Sequence, residues 1–416
     1  MRILWIVNMV LPKLADHLGI SHGTSGTWMY DASDRLAEMP DVELAIACVY
    51  GNSFQKYNVK GTTFYCLPGK GKDMLFYNKS YEGLWEKIYE DFRPDVVNIH
   101  GTEYTHALSF VRRYPNVKTV VSLQGVINRI KDVDLIELNK IQALGYRTVR
   151  EWTHFNGMLE MHMIHKKNAK SEAEILRSVD YVMCVDSWHH SMALWLNPKA
   201  KRFTVNYNLR ESFYTAPKWD PKSADKYTIT TNPGGTPLKG LHNLVKAVAI
   251  VKQYYPNVKV KVPGMKQKNG ELAITSGYSI YLCKLIRKLG LQENIEFLGS
   301  QNEEQMLNNM LSARVQVIPS AIEGPSLVLR EGMHLGVPTI ASFRGGMADF
   351  VDDKVNGFLY DYQEYPYLAK RIMEIFESDE LALQLSGNAI AKAEKAHDRD
   401  NNLNSYYEMY KAILQD

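Results

Sequence analysis

The amino-acid sequence predicts an α/β protein built from two doubly wound domains. Three observations carry this. The chain has 416 residues, too many for one ordinary hydrophobic core. Short runs rich in β-branched residues alternate with helical patterns almost throughout, the signature of parallel sheets covered on both faces. A polar stretch with two prolines, APKWDPKSADK at 216–226, separates one such series from a second and reads as a linker.

In chain order, ILWIV (3–7), ELAIACVY (43–50), VVNIH (96–100) and TVVSL (119–123) read as buried parallel strands, followed by YVMCVD (181–186) and FTVNYN (203–208). They place the first domain at 1–215. Within it, 137–178 breaks the alternation. It is helical in pattern and rich in Met, His and basic residues. We expect an excursion of the first domain with its methionines in the core; the alternative is an amphipathic platform for an acceptor or a membrane surface. The second series is YTITTN (227–232), VKVKVPG (258–264), IEFLG (295–299), VQVIPS (315–320) and TIAS (339–342), in a domain at 216–395. Between its first two strands, Leu241, Leu244, Val245, Val248 and Val251 mark one face of a helix. The last segment, 396–416, is helical. Ligands of doubly wound sheets bind outside the carboxyl ends of the strands, so a cleft between the domains is the expected site.

Composition narrows the function. Hydrophobic residues at 45% and charged residues at 23% describe a folded globular chain. A net charge of +3 gives a nucleic-acid partner no support. Cys48, Cys66, Cys184 and Cys283 are scattered, without metal-ligand spacing, and read as buried reduced thiols. The apolar start MRILWIVNMV stops at Pro12 and Lys13, unlike a signal peptide, and no run reaches the length of a membrane span. The expected location is the cytoplasm.

The chemistry centres on EGPSLVLRE, which sets Glu323 and Glu331 eight positions apart after the strand VQVIPS. Pro325 is tolerated only at a helix start, and Ser326 is a natural N-cap. The helix then begins near Leu327, its free amides and positive dipole end directed at a ligand. Glu331 lies roughly 7 Å further along the axis. Phosphates at the helix start, a sugar on Glu323 and a ribose diol on Glu331 would match a nucleotide-diphosphate sugar.

EGPSLVLRE resembles the E-x7-E motif of the retaining glycosyltransferases of family 4, which have the GT-B fold, and the likeness runs from Phe297 to Asp361. The first half is similar more loosely. The resemblance implies that Glu323 binds the donor sugar's hydroxyls, with Gly324 and Ser326 beside it. It gives the Leu327 and Val328 amides to the diphosphate and Glu331 to the ribose. In NPGGTPLKG (232–240), Lys239 matches the family's diphosphate lysine. Gly234 stands where relatives carry an arginine, and the amides of Gly234 and Gly235 are candidates for a phosphate-binding nest instead. HGTSGTW (22–28) resembles the family's glycine-rich loop before a helix at Trp28, with Gly26 nearest the reacting phosphate. Gln124 occupies the place of a histidine near the donor sugar and cannot titrate. His100 is the acceptor-side candidate, or else a core histidine. The glycines of FRGG, Gly345 and Gly346, resemble a loop that closes on the donor. Asn208 resembles a hinge residue, and in such folds the last helix crosses back to the first domain.

The resemblance therefore implies a transferase of hexosyltransferase type, taking a UDP- or GDP-linked sugar to a glycan or lipid-linked hydroxyl acceptor in polysaccharide or lipid-linked glycan assembly. No cofactor and no metal are expected. Asp132 and Asp134 form a D-x-D triplet, but beside a helix start rather than in the donor domain. A sugar-nucleotide epimerase or hydrolase, and a non-catalytic nucleotide-sugar-binding protein, remain open. A dinucleotide-dependent dehydrogenase is disfavoured because no G-x-G-x-x-G follows a strand.

Overall fold

A computed structural model describes residues 1–21, 26–268 and 271–416. The chain forms two compact units. One comprises Met1–Lys131, Ile164–Asn208 and His397–Asp416, the other Asp132–Met163 and Leu209–Ala396.

The first unit is built on an eight-stranded sheet. Its strands are β1 (Arg2–Ile6), β2 (Glu43–Val49), β3 (Gln55–Val59), β4 (Thr62–Leu67), β5 (Val96–His100), β6 (Thr119–Ser122), β7 (Tyr181–Cys184) and β8 (Lys201–Thr204), in the order β3-β4-β2-β1-β5-β6-β7-β8. All neighbours are parallel except β3 with β4. That edge hairpin turns through Lys60 and Gly61, both at positive φ, as a two-residue hairpin loop requires. The sequence did not announce it, because β3 is a largely exposed edge strand without an apolar run. At the other edge, only Phe203 and Thr204 of FTVNYN are strand. Register with the four-residue β7 confines β8 to Lys201–Thr204, and Asn208 instead donates to Asp31 and accepts from Asn402. The terminal helix, Arg399–Gln415, is held to this sheet by Tyr410, whose hydroxyl accepts from Trp5 Nε1 at 2.9 Å and Asn98 Nδ2 at 2.7 Å.

The second unit holds β9 (Asp225–Thr231), β10 (Lys259–Pro263), β13 (Ile295–Gly299), β14 (Ala313–Ile318), β15 (Thr339–Ser342) and β16 (Phe358–Tyr360) in the order β13-β10-β9-β14-β15-β16, all parallel; two short pieces, β11 (Gln267–Lys268) and β12 (Glu271–Leu272), pair separately. The helix Leu241–Tyr254 buries the face expected of it, Leu241 to Val251. The proposed linker is in part core. Trp219 is buried and donates its indole N–H to the Ala313 carbonyl at 2.8 Å, so the unit is already compact there.

Residues 137–178 form the helices Lys140–Gly145, Val149–His154 and Met158–Arg177. They do not all belong to the first unit, since Asp132–Met163 is part of the second. Two polar contacts within the second unit explain this. Glu151 accepts the Gly277 amide on both oxygens, at 3.0 and 2.8 Å, and Glu137 pairs with Lys246. The methionines divide: Met158 packs against the core of the second unit. Met163 is 64% exposed, and the buried stripe of its helix begins only at Asn168. Of the four free cysteines, Cys283 is half-buried rather than buried. Among the described residues, no helix is long and apolar enough to cross a membrane.

Candidate functional site

In the second unit the sheet order sets β9, β14 and β15 side by side, so the loops after them meet at their carboxyl ends. Asn232 follows β9, Ser320 and Glu323 follow β14, and Gly345 and Gly346 follow β15. The hub is Glu323. Its Oε1 accepts from Lys239 Nζ at 2.7 Å, Ser320 Oγ at 2.6 Å and Asn232 Nδ2 at 3.3 Å. Among the described residues, Oε2 takes no hydrogen bond and is not sealed from water. One oxygen is therefore saturated and the other available.

Two glycines hold this cluster. A Cβ on Gly345 would lie 1.9 Å from the Glu323 carbonyl oxygen, while the Gly346 amide donates to that same oxygen at 3.0 Å. A Cβ on Gly240, next to Lys239, would lie 1.7 Å from the Pro319 carbonyl oxygen. Both glycines have positive φ, so any side chain there meets fixed backbone and a strained conformation.

The helix runs Leu327–Leu335, starting where the sequence placed it. Ser326 occupies the N-cap position without capping through its side chain, because its backbone sits at φ 25°. The N-cap thus leaves the Leu327 and Val328 amides without a hydroxyl cap. Gly234 and Gly235 correct another expectation. Neither has positive φ, and the nest needs a residue in the left-handed region.

Glu331 differs most from its reading as an open ribose acceptor. It is 1% exposed, and Arg210 grips both its oxygens, Nε to Oε1 and Nη2 to Oε2, each at 2.7 Å. Burial pushes the Glu331 carboxyl up, and the guanidinium opposes that shift. Arg210 also stacks over the Phe213 ring at 4.5 Å. Sequence reading stopped at Asn208, two residues short of this partner. It also passed over Asn232 and Ser320, which carried no signal beyond their place at strand ends.

In the first unit, Gly26 precedes the helix Trp28–Ala37; residues 22–25 of the glycine-rich loop lie outside the described residues. Gln124 follows β6 and is buried. Its carbonyl accepts from His189 Nε2 at 2.9 Å, and Asp186 holds Nδ1 of that ring at 2.6 Å. His100 is buried against Trp5 at 4.2 Å, and among the described residues neither ring nitrogen has a hydrogen-bond partner. It is neither an exposed acceptor group nor a satisfied core histidine. A residue not singled out, Glu103, accepts the Gly125 amide at 2.5 Å. Burial raises its carboxyl to about 7, and nearby Glu172 adds to the shift.

These groups dictate how the first unit meets acid. Burial lowers His100 to about 3 and His106 to about 4, so each contributes stability above the usual histidine range that is lost as pH falls. Glu103 runs the other way, because its folded value lies above the unfolded one; its contribution is complete below about 4.5 and lost as pH rises toward 7. Glu103→Gln is therefore expected to steepen the acid loss between about pH 6.5 and 4.5 by roughly 1.4 kcal/mol per pH unit. Urea midpoints across that window check it, and an unchanged slope refutes it.

Among the described residues, no group of three or more His, Cys, Asp or Glu is arranged to hold a metal ion. Of the D-x-D triplet, Asp134 is bonded to His162 Nδ1 at 2.7 Å, and both residues belong to the second unit.

The two doubly wound units are those of the GT-B fold. Sucrose-phosphate synthase from Thermosynechococcus elongatus superposes with a TM-score of 0.75 at 14% identity, covering 100% of this chain and 99% of that one. Anabaena HepE, in a crystal structure with UDP-glucose, does so with a TM-score of 0.66 at 17% identity, covering 99% and 100%. At the level of sequence, residues 218–392 match the family described as glycosyl transferases group 1. D-inositol 3-phosphate glycosyltransferase of Mycolicibacterium smegmatis (strain ATCC 700084 / mc(2)155) is 30% identical over 171 residues, which are 41% of this chain and 37% of that protein. Its counterpart in Corynebacterium urealyticum is 26% identical over 178 residues, 42% and 41% respectively. The matched stretch thus spans well under two thirds of these relatives.

Proposed function

We propose that this chain is a retaining glycosyltransferase that moves a sugar from a nucleotide-diphosphate donor to a hydroxyl acceptor, in polysaccharide or lipid-linked glycan assembly. The observation that carries the reading is the Lys239–Glu323 pair at the mouth of the helix Leu327–Leu335, within the stretch that matches the glycosyl transferases group 1. A UDP-linked donor is favoured because HepE, of the same fold, holds UDP-glucose.

In this reading each group has work suited to its surroundings. Glu323 turns its unoccupied Oε2 to a sugar hydroxyl. Lys239 has three donors and spends one on Glu323, leaving two for the diphosphate on which negative charge develops. The Leu327 and Val328 amides add the helix start. Fixed donors aimed at developing charge are usually the largest catalytic contribution. With no titrating side chain at Gln124, the leaving phosphate itself takes the acceptor's proton in a front-face attack. Glu331, buried and gripped on both oxygens by Arg210, holds the flank of the helix in this reading and is not assigned to the ribose.

Incubating the purified protein with a panel of nucleotide-sugars and following release of free nucleotide by mass spectrometry tests the proposal. Turnover of one donor that rises with a hydroxyl acceptor is expected; interconversion of the sugar without transfer would replace it with an epimerase.

The donor's charge is met by Lys239 and backbone amides in this scheme, so chelation is expected to leave turnover largely intact. Asp132→Ala combined with Asp134→Ala is expected to do the same. Activity abolished by EDTA and restored by magnesium or manganese would assign the diphosphate to an ion.

A further inference from the structure

The first unit carries a second concave feature that the donor scheme does not use. A groove of about 690 Å³ runs between the helices Ile127–Val133 and Met158–Arg177. Five cations line it, Lys131, Lys166, Lys167, Lys170 and Arg177, and among the described residues no carboxylate does. Ala169 and Ala173 form part of its floor, and such small side chains leave depth beneath the charged rim.

Three of the cations, Lys166, Lys170 and Arg177, recur at helical spacing on one stripe, about 16 Å from first to last at 1.5 Å per residue. Among the described residues none of the five is ion-paired. Lys131 donates to Asn128 Oδ1 at 3.3 Å, and Lys167 lies over the Phe76 ring at 5.4 Å. Elsewhere in the unit cations find acids. On the same helix Glu174 binds Arg112 at 2.6 Å, and Arg113 binds Glu86 at 2.8 Å. Like charges at i,i+4 destabilise a helix, so Lys166 and Lys170 cost stability unless an anion joins them. Glu174, four residues after Lys170 on this helix, is taken up by Arg112 and does not line the groove, so the groove itself carries one sign.

We propose that this groove binds an extended chain of phosphates. Its length matches several anionic groups in a row rather than one. Ammonium groups on flexible stems suit phosphates presented at variable spacing.

The test uses the full chain and inorganic tripolyphosphate, with binding followed by calorimetry. The variant Lys166→Gln, Lys170→Gln, Arg177→Gln is compared with a control of equal charge loss on the same unit, Lys72→Gln, Lys79→Gln, Lys87→Gln. Exposed pairs are individually weak, so the three together are expected to lower affinity about tenfold, with the control unchanged and the melting temperature of the groove variant no lower. Equal losses in both variants, or orthophosphate binding as tightly as tripolyphosphate, would overturn the proposal. Sedimentation with phosphatidylglycerol vesicles against phosphatidylcholine vesicles separates the sources. Vesicle binding lost in the groove variant places the phosphates on a lipid surface. Tripolyphosphate binding without vesicle binding places them on a soluble chain. Binding to neither probe refutes the site.

Discussion

Arg210→Ala is expected to destabilise the second unit by about 3–5 kcal/mol, the cost of breaking a buried ion pair from one side. Glu331 is 1% exposed and takes both its hydrogen bonds from that guanidinium. Removing the partner leaves an ionised carboxylate where water does not reach. Arg210→Lys is expected to recover only part, because an ammonium cannot grip both oxygens in one plane. Removing both charges, as Arg210→Met with Glu331→Leu, is expected to restore most of the stability, since well-packed apolar replacements of a buried pair are often neutral. The single variant also has a pH signature. Its Glu331 carboxyl, already raised by burial, loses the group that opposes the shift. The deficit should therefore shrink as pH falls toward the ordinary carboxyl range, where the proton removes the buried charge. Denaturant unfolding at neutral and acid pH checks both statements. A loss under about 1 kcal/mol, the range of a solvent-exposed pair, would mean that water or another cation reaches Glu331.

This ion pair also shows where sequence reading stops. The helix at Leu327, the strand IEFLG and the strand TIAS were legible because buried parallel strands are continuous apolar runs and a Pro-Ser pair punctuates a helix start. The lysine–glutamate pair was legible as two candidates, since each lies in the connection that follows a strand. That Lys239 and Glu323 touch at 2.7 Å depends on β9 and β14 being sheet neighbours, which no local pattern states. Arg210 was illegible for the same reason, since it lies 121 residues from Glu331. Residues 132–163 misled because helical periodicity reports that a face is buried, not which sheet buries it. Glu151 settles the matter by accepting the amide of Gly277, again far along the chain.

Glu323→Gln is expected to lower kcat/KM for sugar transfer about a hundredfold while leaving affinity for the free nucleotide within about twofold. The figure follows from a hydrogen bond to a charged group, about 1.5–3 kcal/mol, felt on the path to the transition state. The substitution keeps the shape. An amide oxygen can still accept from Ser320 and Asn232, which now reach Oε1 at 2.6 and 3.3 Å. Two things change. The charge that holds Lys239 in place disappears, and the free acceptor Oε2 becomes an NH₂ donor, turned against a sugar hydroxyl that was to donate. Stability should move little, because the Lys239 side chain is 35% exposed and the pair is screened. Lys239→Met makes the contrast, since losing the cation should weaken nucleotide binding as well as turnover. Steady-state kinetics with donor and acceptor, and calorimetry with the nucleotide alone, separate these effects. If nucleotide affinity in Glu323→Gln fell as far as turnover, the carboxylate would belong to the nucleotide end of the site. The sugar would then have to be held by other residues around the ends of β9 and β15.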